Sequence, residues 1–380
     1  MKILIIAKNV GRIAPGIVAE RLIKGLSERH EVDVLSTDYD PSTELTNIKK
    51  VIRFKSYEIK PVISKILISF FSFNPLDVYI AKKVANNCVC KYDLIFSIVS
   101  SNHYVSLILG NKLSKKLKVK HFAHFLDAIP APGGWLKDDF FYKGLKKFMA
   151  RTLAKVDGVF ASNQQMLDYQ LSTFKIKKKI CKAVIYNPGP GKITYYEHQL
   201  SNQNTFIFTG GIYGPRKPLY ILKAFKQLLG HYPNSTLEFV GSDIPDKSLS
   251  IFTADELKNV IVHPFNRNLT DFYERATALI DIDADFPNDV FLSSKIINYI
   301  SINRIIISET GENSPSRNIF QGIPSIIQTD HNANEIMQGM IKAIKLKKDI
   351  NFNDRNSVIS LFDLKSNIDR IENEINNADT

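Results

Sequence analysis

Two strings in the second half of the chain combine residue types suited to holding a phosphate-bearing ligand. The first is Thr209-Gly210-Gly211-Ile212-Tyr213-Gly214-Pro215-Arg216-Lys217-Pro218. Its glycines let backbone approach a ligand closely, and Arg216 and Lys217 supply cations where a diphosphate would sit. The second is Ser293-Ser294-Lys295, which opens an apolar run through Ile296, Ile297 and Ile300. Ser293 or Ser294 can cap a helix there, whose free N–H groups and positive dipole end attract an anion, and Lys295 adds charge. Each string also has a plainer reading: a glycine-rich turn with solvated cations, and helix capping alone. Both follow strand-like runs of the same segment, which favours one shared anion such as a pyrophosphate.

The elements that must position these strings read as α/β throughout. Lys2-Ile3-Leu4-Ile5-Ile6-Ala7 is an apolar run of buried-strand type. A loop with Gly11 and Gly16 follows, then Val18, Leu22, Ile23 and Leu26 at helical spacing, then the strand pattern His30-Glu31-Val32-Asp33-Val34-Leu35. This is a βαβ unit, and further strand candidates at 93–97, 119–124, 158–161 and 183–186 extend it into a doubly wound domain. Asn187-Pro188-Gly189-Pro190-Gly191 is a dense group of turn residues, followed by a polar stretch to Asn204. Strand and helix patterns then resume from Thr205. The expectation is an N-terminal domain over 1–188, a linker over 189–204, a C-terminal domain over 205–360 and a late helix over 361–380. Two such halves imply a central cleft, where ligands commonly bind.

At 380 residues the chain exceeds the size at which single cores usually divide. Cys88, Cys90 and Cys181 are too few for a disulfide framework, and Cys88-Val89-Cys90 lacks the second pair that a zinc site needs. No metal-ligand cluster is apparent, so metal independence and no resident cofactor are expected. The opening apolar run is too short for a signal peptide, and no stretch approaches the roughly 20 apolar residues that span a bilayer. Charge is uneven: residues 1–190 hold 31 Lys and Arg against 15 Asp and Glu, and the remainder 19 against 23. An anionic partner for the first half follows. Nucleic acid is not expected, since no helix-turn-helix, zinc-finger or RNA-recognition pattern is present. A nicotinamide dehydrogenase is disfavoured because Gly11 and Gly16 do not form Gly-x-Gly-x-x-Gly.

Taken in order, the MKILIIA start with its glycine loop, the His-Glu-Val-x-Val strand, His124-Phe125-Leu126-Asp127, Asn187-Pro188, the GGIYGPRKP loop and the SSKIINYI helix start run through most of the chain. The sequence thereby resembles the retaining GT-B glycosyltransferases of family 4, in the branch associated with bacterial surface polysaccharides. The resemblance implies two Rossmann-like doubly wound domains facing a central cleft and transfer of a sugar from a nucleotide-sugar donor to a lipid-linked or glycan acceptor. It implies that Arg216 and Lys217 hold the donor diphosphate, with Gly211 and Tyr213 in the same loop, and that Ser294 and Lys295 grip phosphate or ribose. Gly16 would let the first-domain loop approach the donor, Phe265 would lie at the base, and His124 and Asp127 would line the acceptor side. The late helix, Leu361 to Asn377, would cross back to the first domain. Two departures are visible. Asn298 stands where many members carry the second Glu of a Glu-x7-Glu pair, and Ile212 stands where the commonest form places an arginine. Asp281, Asp283 and Asp285 are candidates to replace the first Glu or are exposed loop charges. A nucleotide-sugar epimerase and a GT-B subunit that binds without turnover are the alternatives.

The basic half suggests a cytoplasmic protein peripheral on the inner face of the cell membrane. Lys49, Lys50, Arg53, Lys55, Lys60 and Lys65 face the single Glu58 in that stretch, and Ile66-Leu67-Ile68-Ser69-Phe70-Phe71 follows directly. Phe141, Leu145, Phe148, Met149 and Leu153 share one helical face, edged by Lys143, Lys146, Lys147 and Arg151. Basic residues beside exposed aromatics suit an interfacial anchor on an anionic surface.

Overall fold

Among the described residues of a computed structural model, thirteen strands fall into two parallel sheets. The structure describes all residues except 43–44, 46, 56–59, 89, 101–103, 175, 177–179, 198–202, 348–349 and 379–380. Glu58, His103 and residues 198–202 of the expected linker therefore lie outside the described residues. The first sheet runs Ile48–Arg53, Glu31–Ser36, Lys2–Ala7, Leu94–Val99, Lys120–Phe125, Gly158–Ala161, Cys181–Val184. The second runs Val260–His263, Ser235–Val240, Asn204–Thr209, Ala278–Ile282, Ile305–Glu309, Ile326–Thr329. In each, the first strand sits inside and the order reverses beside it, the doubly wound pattern whose crevice lies outside the strand carboxyl ends.

The chain forms two units, Met1–Pro188 with Asp363–Thr380, and Gly189–Phe362. Central strands such as Leu94–Val99, Asn204–Thr209 and Ala278–Ile282 are buried along their whole length. That explains their continuous apolar runs: helices cover both faces, so alternation is lost. The described part of 189–204 belongs to the second unit, where the Thr194 N–H donates to the Ser301 carbonyl at 2.8 Å. The helix Leu364–Asn377 belongs to the first. Its Ile368, Ile371 and Ile375 enter that unit's core, and Arg29 pairs with Asp369 at 2.6 Å and Glu372 at 2.7 Å.

Arg355 organises the second unit from within. Its guanidinium is fully buried and donates to the carbonyls of Tyr299, Ile302, Arg304 and Ser325 and to Ser325 Oγ. Asp354 holds the same serine from the other side, accepting from its N–H and hydroxyl at 2.8 Å each. Burial pushes the Arg355 pKa down to about 9, with Asp354 opposing. The guanidinium thereby satisfies carbonyls that water cannot reach. Arg355→Met is expected to orphan them and to destabilise the second unit by roughly 3–5 kcal/mol. Denaturant unfolding followed by tryptophan-independent circular dichroism checks this, and a loss below about 1 kcal/mol would contradict it.

Candidate functional site

The two strings meet at the carboxyl edge of the second sheet, on either side of its order reversal. Thr209 ends one central strand, and Gly210 follows with φ +89°, a left-handed conformation that glycine adopts without a Cβ penalty. The Tyr299 hydroxyl accepts from the Thr209 N–H at 2.9 Å and lies 2.8 Å from Thr209 Oγ1. These bonds tie the helix Ser294–Tyr299 to the strand end and bring Lys295 over the loop. A Cβ on Gly210 would lie 3.1 Å from Lys295 Cε. The Lys295 ammonium sits 5.1 Å from the Phe208 ring centre and 5.7 Å from that of Tyr213. Burial and the neighbouring Arg216 charge push its pKa down to about 8. It is a cation held against ring faces, with little water to stabilise it.

Arg216 and Lys217, adjacent in sequence, part company in space. Arg216 is buried, 3.3 Å from Asp283 Oδ1, and donates to the Tyr213 hydroxyl at 3.0 Å. Lys217, Tyr213 and Gly211 are exposed. Asp281 accepts from Ser293 Oγ at 2.7 Å, and Ser293 Oγ accepts from the Lys295 N–H at 3.3 Å, capping the helix. Burial drives both Asp281 and Asp283 upward from the usual carboxylate range, opposed by the Ser293 hydrogen bond at Asp281 and by Arg216 at Asp283. Asp281 and Asp283 are therefore interior groups of the site, whereas Asp285 is exposed and accepts from Tyr220 at 3.4 Å.

Phe265 is 73% exposed, and its Cα and ring lie 3.4 Å from where a Cβ on Gly241 would be, at the ends of neighbouring strands. Ser294 and Asn298 are exposed, and Asn298 Nδ2 donates to the Ser294 carbonyl at 3.1 Å, within its own helix. That helix is only six residues long, so the positive charge at this edge is mainly Lys295's. A buried pair that no local pattern announces lies next to Asp283: Glu309, the last residue of its strand, is 2.6 Å from His331 Nδ1. His331 Nε2 reaches the Ala284 carbonyl at 3.1 Å. Burial pushes Glu309 up to about 7, with His331 opposing. Its sequence signal is slight, an acid closing the apolar run Ile305-Ile306-Ile307-Ser308.

In the first unit the expected acceptor residues separate. His124 is wholly buried inside its strand, neither ring nitrogen has a partner, and burial pushes its pKa down to about 3. As placed it is a neutral core residue, because a central parallel strand is covered on both faces. Asp127 lies two residues beyond that strand and is half-buried at the carboxyl edge. Gly16 is buried, and a Cβ there would come within 2.1 Å of the Gly11 carbonyl oxygen. Its smallness serves the packing of the first helix on the loop. His121 bonds Asn111 and Ser97 in the core. Among the described residues no group of three or more His, Cys, Asp or Glu could hold a metal ion.

Asp283 counters a buried guanidinium, so Asp283→Ala is expected to cost about 3 kcal/mol of stability in the second unit. It should also broaden the Tyr213 ring signals in solution NMR, since Arg216 anchors that hydroxyl. Unchanged unfolding and sharp Tyr213 signals would contradict this.

The Glycosyltransferase Family 4 model matches residues 16–188. Among curated proteins none matches the sequence. Among solved structures, Anabaena Alr3699/HepE in complex with UDP is similar at TM-score 0.67 and 15% identity, covering 99% of this chain and 100% of its own. The lipopolysaccharide outer core galactosyltransferase WaaB in its apo form gives 0.66 and 14%, covering 99% of each. A glycosyltransferase from Rickettsia africae ESF-5 gives 0.64 and 14%, covering 98% of this chain and 97% of its own. At such identities the likeness is one of fold. Residues 16–188 thus resemble Glycosyltransferase Family 4, and the two parallel-sheet units share the GT-B fold of these structures.

Proposed function

We propose that this chain transfers a hexose from a nucleotide-sugar donor, with retention at the anomeric carbon, to a lipid-linked or glycan acceptor in capsule, O-antigen or other surface polysaccharide synthesis. It acts in the cytoplasm at the inner face of the cell membrane and needs no metal. The observation that carries the donor site is the Lys295 ammonium, held over Phe208, Tyr213 and Gly210 at the carboxyl edge of the second sheet. A diphosphate placed there would meet Lys295 from one side and Lys217 from the exposed loop. Arg216, braced by Asp283, adds positive potential and orients Tyr213. These charges offset the one that develops on the departing nucleotide. Phe265 offers an exposed ring for the base. Asp127 is the residue that would accept a hydrogen bond from an acceptor hydroxyl, since His124 is buried. The HepE structures hold UDP or UDP-glucose, and WaaB is a galactosyltransferase, which makes uridine nucleotides the first to try.

Asn298 favours one second reading, a subunit that binds its nucleotide sugar without turnover. It occupies the place of an acid in many family members, and its amide is spent on its own helix.

A panel of UDP-, GDP-, dTDP- and CMP-sugars in thermal shift is expected to give stabilisation by one nucleotide series. Lys295→Ala should weaken that binding roughly tenfold or more. With a diphosphate the charged amine is the binding form, so affinity should be full below about pH 8 and fall as pH rises through it. Lys295→Arg should remove that fall, because a guanidinium keeps its proton. No stabilisation by any series would overturn the donor site. Product analysis by NMR with an acceptor pool reads both turnover and anomeric configuration, and stabilisation without product supports the second reading. Turnover is expected to be unchanged in EDTA; loss that Mg²⁺ restores would contradict metal independence.

A further inference from the structure

Two helices of the first unit turn apolar or cationic residues outward where solvent would ordinarily meet mixed polar ones. On Val62–Phe71, the residues Val62, Ile63, Ile66 and Phe70 are exposed, and their three- and four-residue spacings put them along one stripe. Ile68, on the opposite side, and Ser69, at the edge of the stripe, are buried. Ser69 packs against the second helix, Phe140–Leu153, at Gly144, where a Cβ would lie 2.3 Å from the Ser69 Cα. This contact leaves room for no larger residue, and it holds the two helices so that their outward sides adjoin. Phe70 and Phe140, 70% and 55% exposed, meet edge to face at 5.6 Å. Phe71, also exposed, forms a second ring pair with Phe73 at 6.0 Å.

From Phe140 the second helix continues outward as Lys143, Lys147 and Arg151, all exposed and all on one side. The apolar side expected of this helix points inward: Phe148, Met149 and Leu153 are buried in the core. Lys65, within the first helix, is also exposed, and Asp138 is an exposed carboxylate just before the second. No single described helix is long and apolar enough to cross a membrane. Val62–Phe71 passes that test only together with Pro75–Asn87, at a bend of 84°, and the latter buries Ile80, Ala81 and Ala85. An aromatic cluster with a cationic track beside it complements a surface that is apolar beneath and anionic at its face.

We infer that Phe70, Phe71 and Phe140, with the track Lys143, Lys147 and Arg151, form a docking surface for an anionic phospholipid bilayer, the rings entering the interface and the cations meeting headgroup phosphates. This deepens the membrane part of the proposed function and rests on it; it is independent of the sugar donor.

The test is sedimentation of the full-length protein with vesicles of phosphatidylcholine alone, or with about one third phosphatidylglycerol. The wild type is expected to bind the anionic vesicles and to be released by raising salt from about 0.1 to about 0.5 M. The triple variant Phe70→Ser, Phe71→Ser, Phe140→Ser and the double variant Lys143→Glu, Lys147→Glu should each bind roughly tenfold more weakly. Both should keep wild-type circular dichroism and melting. If the wild type binds and both variants bind equally well, this surface falls while membrane association stands. If the wild type does not bind anionic vesicles, membrane association falls and the inference with it. If instead light scattering shows a dimer that the triple variant abolishes, a second copy covers the face and the inference is overturned.

Discussion

The ion pair between Arg216 and Asp283 spans the place where the second sheet reverses its strand order, and the chemistry of that edge depends on it. Both groups are shut off from water, so neither would stay charged without the other. Once paired, the guanidinium fixes Tyr213 through its hydroxyl, and Tyr213 supplies one of the two rings beside Lys295. Burial, and after it the arginine's charge, lowers the proton affinity of Lys295. In the proposed donor site, a diphosphate would offset that repulsion.

The same constraint explains why acids gather there. Parallel strands covered on both faces require a partner for each charged side chain they bury, and beyond the carboxyl ends loops and helix starts supply such partners. Asp281 and Asp283 lie in and just beyond the end of one strand, and Glu309 closes its neighbour. Each is answered by a group brought from elsewhere: Ser293, Arg216 and His331. Tyr299 and Arg355 supply the rigidity, one by tying helix to strand end and the other by filling carbonyls behind it. In the first unit the same rule divides His124 from Asp127. Three residues along the chain separate a core position from one at the edge.

Helical periodicity alone is blind to direction. The helix Phe140–Leu153 shows an apolar side and a cationic side, and both the core and a membrane could claim the first. Packing assigns it to the core. The helix Val62–Phe71 carries a similar apolar stripe that packing leaves outside, because the contact of Ser69 with Gly144 turns the small residues inward.

Much of the architecture is written locally. Continuous apolar runs such as Leu94–Val99 specify buried parallel strands, glycine and proline clusters mark where units change, and strand-loop-helix context suffices to pick out Gly210, Lys217 and Lys295 as an edge of interest. These are readings of short-range sterics and burial, which sequence carries directly. Residues brought together across the sheet were not legible in the same way. That Arg216 turns inward while Lys217 stays out, that His331 answers Glu309 from 22 residues away, and that His124 is sealed in the core follow from strand order and helix packing. Such pairings depend on which strand ends become neighbours, and that is decided only when the whole sheet closes its core.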